Sequence, residues 1–250
     1  MLAAAYNGYT LLPNKQGPLT IFREPLPGHF YVIGADVGSG RRLIEQHRGD
    51  PSCAEVVDYH NLEQVAEWHG AVEPDVFGDV LAHLGHFYNT AFIAVEANSE
   101  GSTTVHELAR KMLYPRLYYR ESPGSDRVSY NYPGWYTTSK NKSPMVMNLA
   151  RHIRDWTCII HGRGLIDELM SFVLEPTARG IERYRAEKGC RDDRVMAFGI
   201  ALAARDSWQC MPQRQEESST SVEDDRASRM QRLEEQYEQE LEDRPYIVEG

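Results

Sequence analysis

The sequence predicts an α/β fold built on a mixed β-sheet, and three observations carry that prediction. The chain has 250 residues, 41% of them hydrophobic, which is enough apolar material for one well-buried core. Three short apolar runs follow one another with turns between them, as in an antiparallel meander. A helical segment then leads into a fourth apolar run, and such a crossover makes the fourth strand parallel to an earlier one.

The elements can be assigned in order along the chain. The first strand, 31–37, is an apolar run that closes on Gly-Ser-Gly, which is typical of a central buried strand. Over 74–89 apolar side chains recur at helical spacing, with Pro74 suited to the first turn. Further strands are predicted at 53–59, 64–70, 91–97 and 117–120, further helices at 102–113, 144–155, 165–174 and from 192 onward, and a loop from 121 through 135.

The formal net charge of −10 is distributed unevenly. Residues 213–250 hold 12 acidic and 5 basic side chains, and we predict an acidic tail that is mobile or forms one amphipathic helix. Residues 105–165 hold ten basic side chains against four acidic ones. The total charge alone argues against a nucleic-acid partner, but this central segment can meet a polyanion.

Other classes of protein lack support in the sequence. No stretch of eighteen apolar residues occurs, and the first thirty positions lack the pattern of a signal peptide, so we expect a cytoplasmic protein without a membrane partner. The four cysteines form no CxxC pair, so neither a zinc site nor a disulfide framework is indicated. The glycines after the first strand match neither phosphate-loop motif, which argues against nucleotide binding there.

Three acidic positions stand at the ends of predicted elements. Asp36 ends the first strand and Glu96 ends the strand after the crossover, so both side chains leave the same sheet edge if the strands are parallel neighbours. Asp192 and Asp193 open the last helix, where acids also serve as ordinary caps. Grouped carboxylate oxygens are what Mg²⁺ or Mn²⁺ prefers, and two such ions about 3.5–4 Å apart suit phosphodiester hydrolysis.

Several short motifs occur in a specific order and spacing. The motifs are GADVG at 34–38 with DPSCA at 50–54, AVEANSEG at 94–101, YPRLYYR at 114–120, GWYTTSK at 134–140, LIDELMSF at 165–172 and RDDRVMAFGIALA at 191–203. Together they resemble the nuclease domain of the large terminase subunit of tailed bacteriophages, an RNase H-like relative of the RuvC resolvases. The resemblance covers roughly residues 17–207.

The resemblance implies a five-stranded mixed sheet in the order 3-2-1-4-5, with helices on both faces. It divides the chain into a lead-in segment at 1–29, an RNase H-like nuclease domain at 30–212 and the acidic tail at 213–250. The implied activity is a metal-dependent endonuclease that cuts concatemeric viral DNA during genome packaging. By motif position the catalytic acids map onto Asp36, Glu96 and Asp193.

The same resemblance implies partners and a place of action. They are double-stranded DNA, a terminase ATPase motor, the portal and the small terminase subunit, in the cytoplasm of the infected host cell. No Walker A sequence occurs, so we expect either an excised domain or a separately encoded nuclease. A RuvC-like junction resolvase and a non-catalytic packaging adaptor remain alternative functions.

Finer assignments concern metal ligands and DNA contacts. Asp192 and Asp193 both match the last acidic motif, and we favour Asp193 because the helical face that it begins continues inward. Glu168 is either an accessory acid or a carboxylate on a helix surface. The DNA-binding candidates are Lys140, Lys142 and Thr138, expected on a loop suited to backbone phosphates, and Arg120.

Overall fold

A five-stranded mixed β-sheet organises the chain in the computed structural model, which describes residues 5–6, 9–10, 17–40, 50–121, 128–176 and 182–210. A separate two-stranded hairpin, β1 and β2, lies near the start of the chain, and the predicted tail at 213–250 lies outside the described residues. Numbered along the chain, the strands up to the last one of the sheet are β1 (Ala5–Tyr6), β2 (Tyr9–Thr10), β3 (Leu19–Ile21), β4 (Tyr31–Asp36), β5 (Ser52–Asp58), β6 (Gln64–Gly70) and β7 (Phe92–Val95).

The order of strands in the sheet is β3-β6-β5-β4-β7. The predicted meander and parallel crossover are confirmed, because β4, β5 and β6 pair antiparallel and β7 pairs parallel with β4. The predicted fifth strand meets the sheet at one parallel bridge, Leu117 to Ile93. The fifth full strand is instead β3, which comes from the lead-in segment and pairs with the far edge at β6.

Helices cover both faces of the sheet, as expected. On one face α1 (Pro74–Phe87) and α2 (Gly101–His106, continued by a π-helix over Glu107–Lys111) pack against apolar side chains such as Ile33 and Val56. On the other face α3 (Ser139–Arg154), α4 (Arg163–Met170) and α5 (Asp193–Arg205) form a second core with β4 and β7. No helix in the described part of the chain is long and apolar enough to cross a membrane.

Helix α5 lies directly against the central strand because of one glycine. A Cβ at Gly34 of β4 would overlap the carbonyl oxygen of Ala197 and the backbone nitrogen of Ala201. Only glycine, which has no side chain, allows backbone to approach backbone this closely. The helix is therefore nearly all buried from Val195 to Leu202, and its first residues lie over the carboxyl end of β4.

Two antiparallel ribbons stand outside the sheet where the sequence predicted other structure. β8 (Tyr119–Glu121) pairs with β9 (Val128–Pro133) across the predicted loop. Helix α4 ends at Met170, so the predicted helix at 165–174 is too long, and β10 (Phe172–Pro176) pairs with β11 (Glu182–Ala186). The aromatic rings of Phe172 and Tyr184 stack across this second ribbon, a cross-strand contact between residues twelve positions apart that local periodicity does not reveal.

Candidate active site

Asp36 and Glu96 lie side by side at one edge of the sheet. Asp36 is the last residue of β4, and the parallel register that pairs Ala35 with Val95 continues through the Glu96 amide, which donates to the Ala35 carbonyl at 2.8 Å. The two carboxyl groups are in hydrogen-bond contact. The sequence-based expectation that strand topology turns a separation of sixty residues into proximity is therefore confirmed.

The electrostatic environment of Asp36 is unfavourable to its negative charge. Burial raises the pKa of the Asp36 carboxyl well above its ordinary value, and repulsion from Glu96 and a hydrogen bond to that neighbour raise it further. Repulsion from Asp193 and then Asp192 acts on the Asp36 pKa in the same direction. These influences all favour the neutral form of Asp36, as expected for carboxyl groups that share a site without a cation.

Asp192 and Asp193 complete this group, which we call the edge cluster: Asp36, Glu96, Asp192 and Asp193. Asp193 is the first residue of α5, and its carboxylate lies 3.3 Å from the Arg191 guanidinium and 3.7 Å from Nε2 of His69. Asp192 occupies the position just before the helix and makes no capping bond with its side chain. Both carboxylates are thus left free of the usual capping role and lie near Asp36.

The segment that carries the predicted DNA contacts runs beside Glu96. Trp135 forms a parallel bridge with Glu96, and Asn98 exchanges two hydrogen bonds with the backbone of Thr137, at 2.8 and 2.9 Å. These contacts bring the start of α3 to the edge of the acid group. They continue the sheet for a few residues past the end of β7.

Lys140 and Lys142 lie in the first turns of α3, and the prediction that they sit on a loop is wrong. The helix begins at Ser139 because Thr138 caps it, in a capping box with Asn141. The Thr138 hydroxyl oxygen therefore already accepts a hydrogen bond from the Asn141 backbone amide in the first turn of the helix. The Lys142 ammonium reaches to 3.8 Å from Asp192, while Lys140 is exposed. We missed the capping box because Asn141 replaces the usual acidic or Gln partner.

Arg120 is held between two aromatic rings. Its guanidinium lies 4.9 Å from the ring centroids of both Tyr132 and Tyr136, and both tyrosines are exposed. This arrangement spans β8, β9 and the residue after Trp135, so it stands next to the segment that pairs with Glu96. Neither tyrosine was singled out from sequence, because the ribbon that brings them to Arg120 was not predicted.

A second acidic group lies beneath α5, on the same face of the sheet, and we call it the buried cluster: Glu55, Glu67 and Glu168. Glu55 faces Glu67 across β5 and β6, and burial raises the pKa of Glu55 well above its ordinary value, with repulsion from Glu67 acting the same way. Gln64 donates to Glu55 at 2.7 Å. The Glu168 side chain is only 9% exposed, so its prediction as a carboxylate on the helix surface is wrong.

One cation, Arg194, is inserted into the buried cluster. Its Nη1 lies 2.7 Å from Glu168 and its Nε 3.0 Å from Glu67. Arg194 follows Asp193 directly, so neighbouring residues serve the two acidic clusters. No local pattern indicates this pairing, since Glu67 and Glu168 come from separate elements about a hundred residues apart.

The donor atoms of the edge cluster fit a hard divalent cation. They are carboxylate oxygens, which Mg²⁺ and Mn²⁺ prefer, and the raised Asp36 pKa reports negative charge that no internal cation offsets. Within the described ranges no three His, Cys, Asp or Glu side chains are already arranged around a common metal position.

The strand order, with helices on both faces of the sheet, defines a mixed α/β domain. The chain is similar to the magnesium-bound large terminase nuclease from thermophilic phage G20c, with 21% identity and a TM-score of 0.59, over 76% of this chain and 89% of that one. The cobalt-bound form of that nuclease matches over the same shares, at 21% identity and a TM-score of 0.59. The large terminase nuclease domain of Thermus phage P74-26 matches with 21% identity and a TM-score of 0.56, over 75% of this chain and 86% of that one.

No family model matches the chain, and no curated protein does either. The resemblance to terminase nuclease domains that the motifs indicated is confirmed at the level of the fold.

Proposed function

We propose that this protein is a metal-dependent endodeoxyribonuclease that cuts concatemeric viral DNA during genome packaging. The observation that carries the proposal is the convergence of Asp36, Glu96 and Asp193 at one sheet edge, where burial and repulsion between the carboxylates raise the pKa of Asp36. The shared fold with phage terminase nucleases, one of them crystallised with magnesium and with cobalt, supports it. This activity would place the protein in the cytoplasm of an infected host cell.

Asp36, Glu96 and Asp193 would hold two Mg²⁺ or Mn²⁺ ions, with Asp192 as a further candidate ligand. When bound, such ions supply an activated water and charge stabilisation for the leaving oxygen. Burial and the neighbouring carboxylates raise the pKa of Asp36, whereas a bound cation would favour its ionised form, so metal binding would compete with protonation and weaken as the pH falls. His69 has its Nε2 3.7 Å from the same Asp193 carboxylate.

The DNA would approach over the start of α3. Lys140 and Lys142 stand there at the amino end of a helix, where backbone amides also attract phosphate. Arg120 between its two tyrosines offers a positive charge with little freedom to move, beside the same segment. A contact from Thr138 would have to coexist with its capping bonds. The ATPase motor, portal and small terminase subunit are the protein partners that this function would require.

Incubation of supercoiled plasmid with the protein and Mn²⁺ tests the proposal. Asp36→Asn removes the charge while keeping the shape, and we expect a loss of nicking and linearisation of at least about a thousandfold, as for other groups that act together in a site. Asp167→Asn is the matched control, because this exposed aspartate on α4 forms an ion pair with Arg163 at the surface. Full activity of the Asp36→Asn protein would overturn the proposal.

Two substrate and ligand controls separate the alternatives. Preferential cutting of four-way junctions over linear duplex would instead indicate a RuvC-like resolvase. If millimolar Mn²⁺ fails to bind and no DNA is cut, the remaining interpretation is a packaging adaptor that uses the same fold without chemistry.

A further inference from the structure

We infer that Arg194, Glu67 and Glu168 are positioning residues that fix where Asp193 stands in the edge cluster. The inference rests on the proposed function, because it concerns the acid that would bind metal. The buried ion-pair network would hold Asp193 in position, which the residues of the edge cluster do not do themselves. Asp193 begins a helix, and the first turn of a helix is held only as firmly as its free amide groups are satisfied.

Glu168 satisfies those amides from outside the helix. One of its carboxylate oxygens accepts from the backbone amides of Arg194 at 2.8 Å and Val195 at 3.4 Å, and the other meets the Arg194 guanidinium at 2.7 Å. An acid just before a helix usually performs this role, but Asp192 makes no such bond. Glu168 on α4 thus caps α5 and leaves Asp192 and Asp193 available to a ligand.

Arg194 ties the same turn to the sheet. Its side chain is 18% exposed, and its guanidinium lies between Glu168 of α4 and Glu67 of β6. Both the backbone amide and the side chain of Arg194 are held by these contacts. The backbone of the preceding residue, Asp193, therefore has little freedom to move. The strand that carries Glu67 also carries His69, whose ring reaches the Asp193 carboxylate.

Helix α4 is itself held in place, so Glu168 is a fixed acceptor. At the start of α4 the Gln64 side-chain oxygen accepts from the amides of His161 at 2.9 Å and Gly162 at 2.7 Å. Gln64 in turn donates to Glu55 in the neighbouring strand. The helix is therefore anchored to β6 at its first turn and to α5 at its last.

A network of this kind is a poor choice for stability alone. Buried ion pairs lose much of their attraction to desolvation, and apolar side chains of similar volume often stabilise a core as well or better. Its distinctive property is geometry: Glu168 is hydrogen-bonded to both the amide and the guanidinium of Arg194, and Glu67 forms an ion pair with the same guanidinium, one residue from the acid. Groups that orient metal ligands in this way typically change metal affinity or activity by about 10–100-fold when they are altered.

The test measures Mn²⁺ binding directly, by electron paramagnetic resonance, on the full chain at a temperature where every variant is folded. For Glu168→Gln we expect the Mn²⁺ dissociation constant to rise by about 10–100-fold. In plasmid cleavage at saturating Mn²⁺ we expect kcat to fall while KM for DNA stays unchanged, which a loss of global stability would not produce. Asp167→Asn, next to Glu168 but exposed, is the matched control and should bind Mn²⁺ like the wild type.

A second variant, Arg194→Lys, keeps the positive charge but cannot span both carboxylates, and it should weaken Mn²⁺ binding in the same direction even if Glu168→Gln fails to fold. The Asp36→Asn variant distinguishes a failure of the positioning role from a failure of the metal site itself. If Asp36→Asn weakens Mn²⁺ binding while folded Glu168→Gln and Arg194→Lys bind as the wild type does, the positioning role is wrong and the metal site stands. If Asp36→Asn also binds Mn²⁺ normally, the metal site itself is wrong.

Discussion

The edge cluster and the buried cluster lie on one face of the sheet and differ in the source of their positive charge. The buried cluster contains its own cation, since Arg194 lies 2.7 and 3.0 Å from two of its carboxylates. The edge cluster meets only cations at its outside, with Arg191 3.3 Å from Asp193 and Lys142 3.8 Å from Asp192. One cluster thus has a cation among its carboxylates, while the cations near the other lie at its outside.

Removing the internal cation should have the largest effect on stability. In Arg194→Met, Glu67 and Glu168 would remain buried without a partner, and we expect the free energy of unfolding to fall by about 3–5 kcal/mol. Urea denaturation measures this. Arg163→Met is the control, because its ion pair with Asp167 is exposed, and we expect a change within about 0.5 kcal/mol. An Arg194→Met protein as stable as the wild type would mean that the two clusters do not differ in this respect.

Neutralising Asp36 in the edge cluster should instead increase the free energy of unfolding, by an amount that depends on pH. The pKa of Asp36 is raised in the folded protein, so between its ordinary value of about 3.9 and the raised value the unfolded chain releases a proton that the folded protein retains. Stability of the metal-free protein therefore falls as the pH rises through that window. Asn cannot lose a proton, and we expect Asp36→Asn to be more stable than the wild type at neutral pH.

The same comparison predicts that this gain disappears below pH 4 or so, where the wild-type Asp36 is protonated in both states. Thermal denaturation of both proteins between pH 3 and 8 in a chelator measures it. A gain that stayed constant with pH would point to packing rather than charge.

The smallest effect is expected at the outer cation. Lys142 is partly exposed, so Lys142→Gln should change the free energy of unfolding by less than about 1 kcal/mol. Its effect should appear in DNA binding instead, as a decrease of about 1 in the slope of log affinity against log salt concentration. Lys111→Gln serves as the control, because Lys111 pairs with Glu107 on the π-helix. Equal salt slopes for wild type and Lys142→Gln would remove this residue from the DNA surface.

The part of the architecture that follows from local pattern could be predicted from sequence. The apolar runs of β4, β5, β6 and β7 and the helical spacing of α1 are local signals, and the position of Asp36 and Glu96 at one edge follows from the parallel crossover. The placement of the four acids was therefore predictable. Their roles in catalysis and metal binding stay predictions.

The features that escaped prediction depend on contacts between distant segments. β3 is three residues long and is recognised only through its pairing with β6. The apolar spacing over 165–174 continues past Met170 into β10, so periodicity could not mark where the helix ends. Glu67 and Glu168 lie on a strand and a helix far apart in the chain, and only the folded structure places Arg194 between them.

The distance across the edge cluster depends on the missing Cβ atom of one glycine, Gly34. Gly34 stands two residues before Asp36, and Ala197, which it touches, stands four residues after Asp193. A methyl group at position 34 would push α5 outward and carry Asp193 away from Asp36, although every acid would still be present. The distance between the acids on the strand and on the helix is therefore set by how closely the two backbones approach. A substitution at Gly34, which carries no functional group, would disturb the site as a change of an acid would.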